Sequence, residues 1–545
     1  MERRLRSDAQ NSVSSIDILK EVEKVKVVVD VVDWRFYSTG VCICLLNLVA
    51  AWDATSLSVV LPIIASDLGG SAVQSIWLVL SFLLAAAVCS PLFATLSTIF
   101  GRKPLLLTAL TLLTCGSFIT AVSGRLAGLH LGRTVQGMGA GGIAILSSLI
   151  VSDLASAEDR RKWTGILGTM WAIGAVTGPM IGDGLANRSM FRWVFWINLP
   201  FCLIAFLILP FFAQLKSASP GAMLPKLKNV DWLGFFLLSG SLVSVLLGLT
   251  AAGTNYSWSS FRTILPLQFG CIGLVIFVTW SWFSPFASMI SIRGLDITTL
   301  ITSFCSLVLG TIVFAVLYFL PLYFIVAKPN HSLVGAGIRL LPTTMPLAFF
   351  SLLTFFLLNK TKYIRPAIWT AWVLVLISVS LMVLFTRKSG SVVWALAFFS
   401  GSGVGVLYPS LHMSSHLTTP EAVDPTTTVT NFTFAQFLGQ TFGVAFGFAI
   451  FQNEFLTNLT KEESFEYYIT SYVQHSTALV TKIPRGEDGS NAAAMADIFV
   501  NSLRPVWIVM AAFAGLALVA SAFMKEKEVA QSVVPDLNVD QAYVV

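Results

Sequence analysis

Charge is scarce in this chain. Asp, Glu, Lys and Arg make up 11% of its 545 residues, against roughly 25% in an ordinary soluble domain. That excludes a disordered chain, a nucleic-acid binder and a water-soluble enzyme, and a net charge of +6 is too small for this length to imply nucleic acid. Cysteine is sparse: seven residues, with no CxxC pair and mostly in apolar runs, indicate neither a disulfide framework nor a zinc site. Histidine is rarer still, with five in all, and the one i, i+4 pair, His412 and His416, has no acid beside it in its run. No helical metal box, nucleophile elbow or phosphate loop occurs, so no enzymatic activity and no bound cofactor are expected. The first 35 residues hold no continuous apolar stretch, because seven Lys/Arg and seven Asp/Glu interrupt it, and this excludes a cleavable signal peptide. A flexible cytosolic tail is expected there, or alternatively a surface-lying amphipathic helix over 16–32.

What is abundant is apolar side chain, 55% of the residues, with a mean hydropathy of +0.79. One membrane span takes about 20 apolar residues. Continuous runs separated by short polar breaks predict spans near 38–65, 75–98, 104–123, 128–152, 163–185, 193–213, 231–252, 263–284, 297–326, 334–358, 367–386, 392–416, 426–451 and 504–523. The fold class is therefore an all-α integral membrane protein with fourteen transmembrane helices; the runs do not alternate, so a closed barrel is excluded. With the N-terminus inside, 21 of the 34 Lys and Arg residues fall in cytoplasmic segments and 11 in outer ones, which predicts both termini in the cytosol. The one long break, 452–503, is expected outside, with room for a short helix over 461–472. It carries Asn458-Leu459-Thr460, a glycosylation acceptor pattern. The same pattern falls in short loops at Asn187, Asn255 and Asn330, on the cytosolic side at Asn359, and within a helix at Asn431.

A charge deep in hydrocarbon costs about 2.5–3.5 kcal/mol on insertion scales, so each one needs a reason. Asp53 is the one acid well inside a span. It reads as a proton or substrate-cation site facing a wet cavity, or alternatively as a structural ion pair or a buried hydrogen-bonded acid. Arg133, early in the fourth span, differs from it in depth by roughly 8 Å at 1.5 Å per residue, so an Asp–Arg pair is expected, or alternatively a lone arginine bonded to backbone carbonyls. Arg339 is shallower and is expected to snorkel outward. In the fifth span Gly174, Gly178 and Gly182 share one face, and Pro179 permits a kink; that face is either a bendable seam between moving halves or static close packing. Gly101-Arg102-Lys103 makes a tight basic turn between spans two and three.

These residues resemble the major facilitator superfamily, specifically the fourteen-span fungal drug:proton antiporters. Asp53 to Pro62 resembles the family's first-helix motif, and Phe100-Gly101-Arg102-Lys103-Pro104-Leu105 the end of its signature loop. Leu131 to Gly139 resembles the fourth-helix motif associated with proton coupling, Gly174 to Gly184 the fifth-helix antiporter motif, and Arg192 to Pro200 the start of helix six. Phe437-Leu438-Gly439-Gln440 and Ile450-Phe451-Gln452-Asn453 are similar to the motifs around helix thirteen. The resemblance implies six-helix bundles over 37–213 and 297–523, an inserted pair over 231–284, cytosolic loops at 214–230 and 285–296, and tails at 1–36 and 524–545. It implies proton coupling through Asp53 and Arg133. It further implies a midplane substrate cavity with Thr55, Gln136, Trp171, Gln436 and Gln440, and gating or helix packing by Gly101, Arg102, Lys103, Gly174, Gly178, Pro179 and Gly182. Three positions depart from the family pattern: Thr98 replaces an acid before the signature loop, Asp183 a glycine in the fifth helix, and Gln436 an arginine.

The expected function is proton-driven export of a small lipophilic toxin, metabolite or drug by a monomeric multi-pass protein of the plasma membrane. Its expected partners are a small-molecule substrate and membrane lipid, with the proton gradient in place of a cofactor. One alternative keeps the fold but moves basic amino acids across a vacuolar membrane; cationic cargo would want several intramembrane acids, and one is present. Another, from a different class, is a non-transporting nutrient receptor, which usually adds a large cytosolic segment where this chain has tails of about 35 and 20 residues.

Overall fold

The computed structural model describes residues 34–154, 157–186, 190–213, 215, 223–284, 289–290, 295–327, 335–361, 364–417, 425–462 and 492–524. The expected amphipathic helix at 16–32, the tails over 1–33 and 525–545, most of the two cytosolic loops, residues 463–472 of the helix expected over 461–472 and the triplets at Asn187 and Asn330 lie outside the described residues.

Among those residues fourteen helices are long and apolar enough to cross a membrane. In chain order the spans are Tyr37–Thr55, Ala72–Phe100, Arg102–Val122, Leu126–Asp153, Lys162–Leu185, Trp193–Phe212, Trp232–Ala251, Phe261–Phe283, Ile297–Ala327, Leu341–Leu358, Ile364–Leu384, Val392–Ser415, Thr426–Leu459 and Ala493–Ala522. Helix is the form that satisfies every backbone group within one segment, which hydrocarbon demands. Polar residues set the ends. Ser71 starts the second span with a capping box: its hydroxyl accepts from the Gln74 amide while the Gln74 side chain accepts from the Ser71 amide, at 3.2 and 3.0 Å. Gly101, at φ +89°, reverses the chain into the third span in one residue, a conformation open to glycine at little cost. The first span breaks at Ser56 and continues as Leu57–Leu68.

Spans one to six pack among themselves, as do spans nine to fourteen. The two groups meet where span two lies on span thirteen and span five on spans ten and twelve. Spans seven and eight pair with each other and rest against this seam: Trp77 of span two donates to Thr250 at 3.1 Å, and Trp258 donates to Asn453 of span thirteen at 2.7 Å.

The far end of the second bundle differs from the sequence expectation. Span thirteen runs to Leu459, and a helix over Ala492–Ser502 leads directly into Arg504–Ala522, so helix occupies both ends of the supposed loop 452–503. The cause is aromatic packing that the polar run Gln452-Asn453-Glu454 conceals. Phe455 and Phe499 are fully buried, and Phe451, Phe455 and Phe499 pack together with ring centroids 4.7–5.6 Å apart, Phe451 stacked on Phe455 and Phe499 tilted against Phe451 and edge-on to Phe455. Asn458 therefore stands in the last turn of a helix. Its side-chain amide donates to Ser502 at 3.1 Å, and its carbonyl accepts from Lys461 at 3.2 Å.

Candidate functional site

Asp53, Arg133 and Gln136 do come together, and Asn198 joins them. The Asp53 carboxylate accepts from Gln136 Nε2 at 2.6 Å on one oxygen and from Asn198 Nδ2 at 2.7 Å on the other. Both amides also reach Ser117 Oγ, at 2.9 and 3.3 Å. Arg133 stands 3.9 Å from the carboxylate, at the edge of an ion pair. Its guanidinium donates to the Asp53 carbonyl at 3.0 Å, the Leu78 carbonyl at 3.1 Å and Gln136 Oε1 at 2.8 Å, and it lies 4.1 Å from the Phe82 ring centroid. The cage draws on spans one, two, three, four and six.

Two expectations fail here. Asp53 is 1% exposed and faces no wet cavity, because the amides of spans four and six close over it. Gln136, fully buried, belongs to the cage and not to a substrate cavity. Thr55 is likewise sealed: it donates to the Ala51 carbonyl at 2.8 Å and lies 3.3 Å from the Gly174 carbonyl. Gln440 is buried where span thirteen crosses Gly310 of span nine.

The glycine face of span five lies inside the first bundle, not between the two bundles. A Cβ on Gly174 would strike Ala51, one on Gly178 would strike Thr55 Oγ1, and one on Gly182 would come within 2.6 Å of the Ser56 carbonyl. All three partners are on span one, so the face is a close-packed seam of spans one and five. The contact between bundles uses another side of the same helix. The Pro179 carbonyl sits against Gly337, where a Cβ would collide with it, and Asp183 Oδ2 accepts from the backbone amides of Gly335 and Gly337 at 2.6 and 3.4 Å. Asp183, 4% exposed, thus ties the end of span five to the approach to span ten. Arg339 donates to the Phe324 carbonyl at 2.9 Å instead of reaching free to the interface.

At the opposite end Arg102 finds the acid that Thr98 does not supply. Its Nε donates to Asp153 at 2.8 Å and its Nη1 to Ser97, while Lys103 Nζ donates to the Pro210 carbonyl at 2.6 Å. These bonds clamp spans two, three, four and six on the face carrying the basic loops.

Between the bundles, in the half nearest that face, lies a cleft of about 650 Å³ including its mouth. Span five supplies Thr164, Gly165 and Gly168, span ten Ser351, Phe355 and Leu358, and span twelve Tyr408, His412 and Met413. Trp171 stacks on Tyr408 with centroids 5.2 Å apart and planes 11° apart, and Phe314 stands 6.5 Å beyond Trp171. Trp171 therefore supports the wall of the cleft through Tyr408. Gln436 lies on span thirteen with its backbone carbonyl against Gly310 of span nine. Tyr318, stacked on Phe314 at 6.0 Å, donates to the Ala54 carbonyl at 2.7 Å, one residue from Asp53. Tyr318 belongs to the aromatics that the sequence offers for an apolar, adaptable cavity, whereas Asn198, Ser117, Tyr408 and Asp153 carry no role there. Asn198 was the most accessible of them, as a polar residue in the apolar start of helix six.

Comparison with known proteins bears on this arrangement. Residues 43–446 match the family model described as Major Facilitator Superfamily. The chain is similar to the MFS transporter L2 of Phoma sp., at 33% identity over 90% of this chain and 82% of that protein. It is 30% identical to the MFS-type efflux pump LUC4 of Fusarium sp., over 90% of this chain and 88% of the pump. It is also 31% identical to the Acurin A biosynthesis cluster MFS-type transporter of Aspergillus aculeatus, over 90% and 89%. Among solved structures, a bacterial homolog of the human lysosomal transporter Spinster, inward-facing and unoccupied, superposes with a TM-score of 0.61 at 15% identity, covering 90% of this chain and 98% of that one.

Proposed function

The chain belongs to the major facilitator superfamily, and from that premise we propose that it exports a small lipophilic compound in exchange for protons across the plasma membrane, with both termini in the cytosol. The observation that carries the reading is the pairing of one sealed carboxylate, Asp53, with an apolar aromatic cleft between the bundles. A cleft walled by Phe355, Leu358, Tyr408 and Met413 suits a lipophilic cargo, and the full-length likeness to fungal efflux pumps supports outward transport.

Asp53 is the proton carrier in this reading. Rocking of the bundles opens the cleft to one side and then the other, and Arg133 offsets the charge left when the proton departs from Asp53. Transport of basic amino acids into a vacuole is less well supported, since no acid lines the cleft among the described residues. The test is export of lipophilic fluorescent dyes from proteoliposomes with and without an imposed pH gradient. Asp53→Asn, locked in a neutral form, should keep dye binding and lose pH-driven accumulation. Accumulation by that variant at the wild-type rate would make the carboxylate structural and place coupling elsewhere.

A further inference from the structure

Arg160, Arg365 and Arg504 each have a buried Nε without a hydrogen-bond partner, and of these three Arg160 lines the cleft. Arg102 is bonded to Asp153, Arg133 to the cage and Arg339 to a backbone carbonyl. Arg160 lines the basic-face end of the cleft with its Nε buried and without a hydrogen-bond partner, and among the described residues it makes no ion pair. A buried guanidinium N–H left unbonded costs about 1–3 kcal/mol, more where the group is charged, so such a donor on a cavity wall calls for an acceptor from what enters the cavity. The other polar groups on that wall are Thr164, Ser351 and His412, and none is an acid. Facing them, Phe355, Leu358, Met413 and the Tyr408 ring make an apolar surface, and Trp171 stacked behind Tyr408 fixes that ring as a flat platform.

We propose that the cleft selects lipophilic organic anions: an aromatic or alicyclic body on Tyr408 and Phe355, and a carboxylate or similarly delocalised acid on the Arg160 guanidinium. The fork of guanidinium donors matches two oxygens held in one plane, which an ammonium would not match. The inference rests on the export reading and narrows its cargo. The same donor chemistry would also accept a phospholipid headgroup phosphate, and the test separates the two sources.

The probes are 1-pyrenebutyric acid and its neutral N-methylamide, bound to the purified full-length protein in phospholipid-free detergent micelles. Binding is read by energy transfer from tryptophan to pyrene, with empty micelles as the blank. The wild-type protein should bind the acid about tenfold more tightly than the amide, the worth of one charge-assisted contact. Arg160→Gln should bring that ratio near one, and Arg160→Lys should leave it in between, with the amide's Kd as the reference for an intact cleft. A wild-type ratio near one, or a ratio that Arg160→Gln leaves unchanged, overturns the proposal. So does loss of the ratio on adding phosphatidylglycerol, which would assign the guanidinium to a lipid headgroup. Failure of both probes to bind strikes the lipophilic-export reading itself, whereas equal binding of both strikes only the preference for anions.

Discussion

Replacing Asp183 should loosen the end of the transporter away from the basic loops. Its carboxylate holds the Gly335 amide at 2.6 Å and the Gly337 amide at 3.4 Å, across the boundary between the bundles. The shorter bond is charge-assisted and buried, worth about 1.5–3 kcal/mol, and the longer one adds little. Asp183→Ala removes both acceptors and strands the Gly335 amide, so the closed state should lose about 2 kcal/mol against a state open at this end. At about 1.4 kcal/mol per tenfold, the open-to-closed ratio rises roughly 30-fold, so an open fraction of about 1% (closed form at 99:1) becomes roughly a quarter. Asp183→Asn keeps an oxygen acceptor without its charge and should fall midway. The readout is thiol labelling of Leu322→Cys in a background lacking the seven native cysteines. Leu322 lines a second cavity, of about 440 Å³, in this half of the molecule. Labelling in detergent needs no assumption about membrane orientation. The expected order of rates is Ala, then Asn, then wild type. Equal rates in all three would show that the closure is held elsewhere, and that the 2.6 Å bond merely accompanies it.

Two further outcomes follow from packing. Gly178→Leu sets a branched side chain against Thr55 Oγ1 on span one, where even a Cβ does not fit; dye export should stop, with the variant's thermal midpoint in detergent lower than wild type, and normal export at a normal midpoint would remove the close-packing argument. Phe455→Ala empties a fully buried site between Phe451 and Phe499 and should cost about 3–5 kcal/mol, seen as a lower thermal midpoint, whereas an unchanged midpoint would mean that the helix ends around 492–502 are not held by this cluster.

The spans were legible because hydrocarbon leaves each segment one way to satisfy its backbone, so long apolar runs translate directly into helices. Where a run was broken by polar residues, the reading stopped early. Gln452 is 1% exposed and Phe455 fully buried, yet Gln452-Asn453-Glu454 reads as the start of a loop. The Asp53–Arg133 pairing was legible from depth alone, since rise per residue converts sequence position into height. What depth cannot supply is azimuth. It could not show that the Gln136 and Asn198 amides point at the carboxylate and seal it, nor that Gly174, Gly178 and Gly182 face span one while Pro179 and Asp183 face span ten. Arg160 was hidden for a similar reason: beside Arg161 and Lys162 it reads as one more positive anchor, and only the packing of spans five, ten and twelve sets it apart.

The sealed cage raises the question of how bundle motion reaches Asp53. Both carboxylate oxygens are occupied by amides of the first bundle, so sliding of the second bundle does not touch them directly. One bond does cross. Tyr318, on span nine, donates to the Ala54 carbonyl at 2.7 Å, while Arg133 donates to the neighbouring Asp53 carbonyl at 3.0 Å. This stretch of span one lies just before its break at Ser56, where the helix is least able to resist a pull. When the bundles part at this level the Tyr318 bond must open, and the peptide that carries Asp53 is freed from one of its two clamps. Tyr318→Phe keeps the ring on Phe314 and removes only the hydroxyl. The loss is about 0.5–1.5 kcal/mol, too little to unfold the bundle and enough to change the coupling of the two motions up to roughly tenfold. In proteoliposomes, downhill dye flux should stay within a few-fold of wild type, while the accumulation ratio under an imposed pH gradient should fall clearly below it. Asp53→Asn combined with Tyr318→Phe should accumulate no less than Asp53→Asn alone, because both changes act on one step. If Tyr318→Phe sustains the wild-type accumulation ratio, the hydroxyl is a packing bond, and the proposed coupling through Asp53 needs another route to the second bundle.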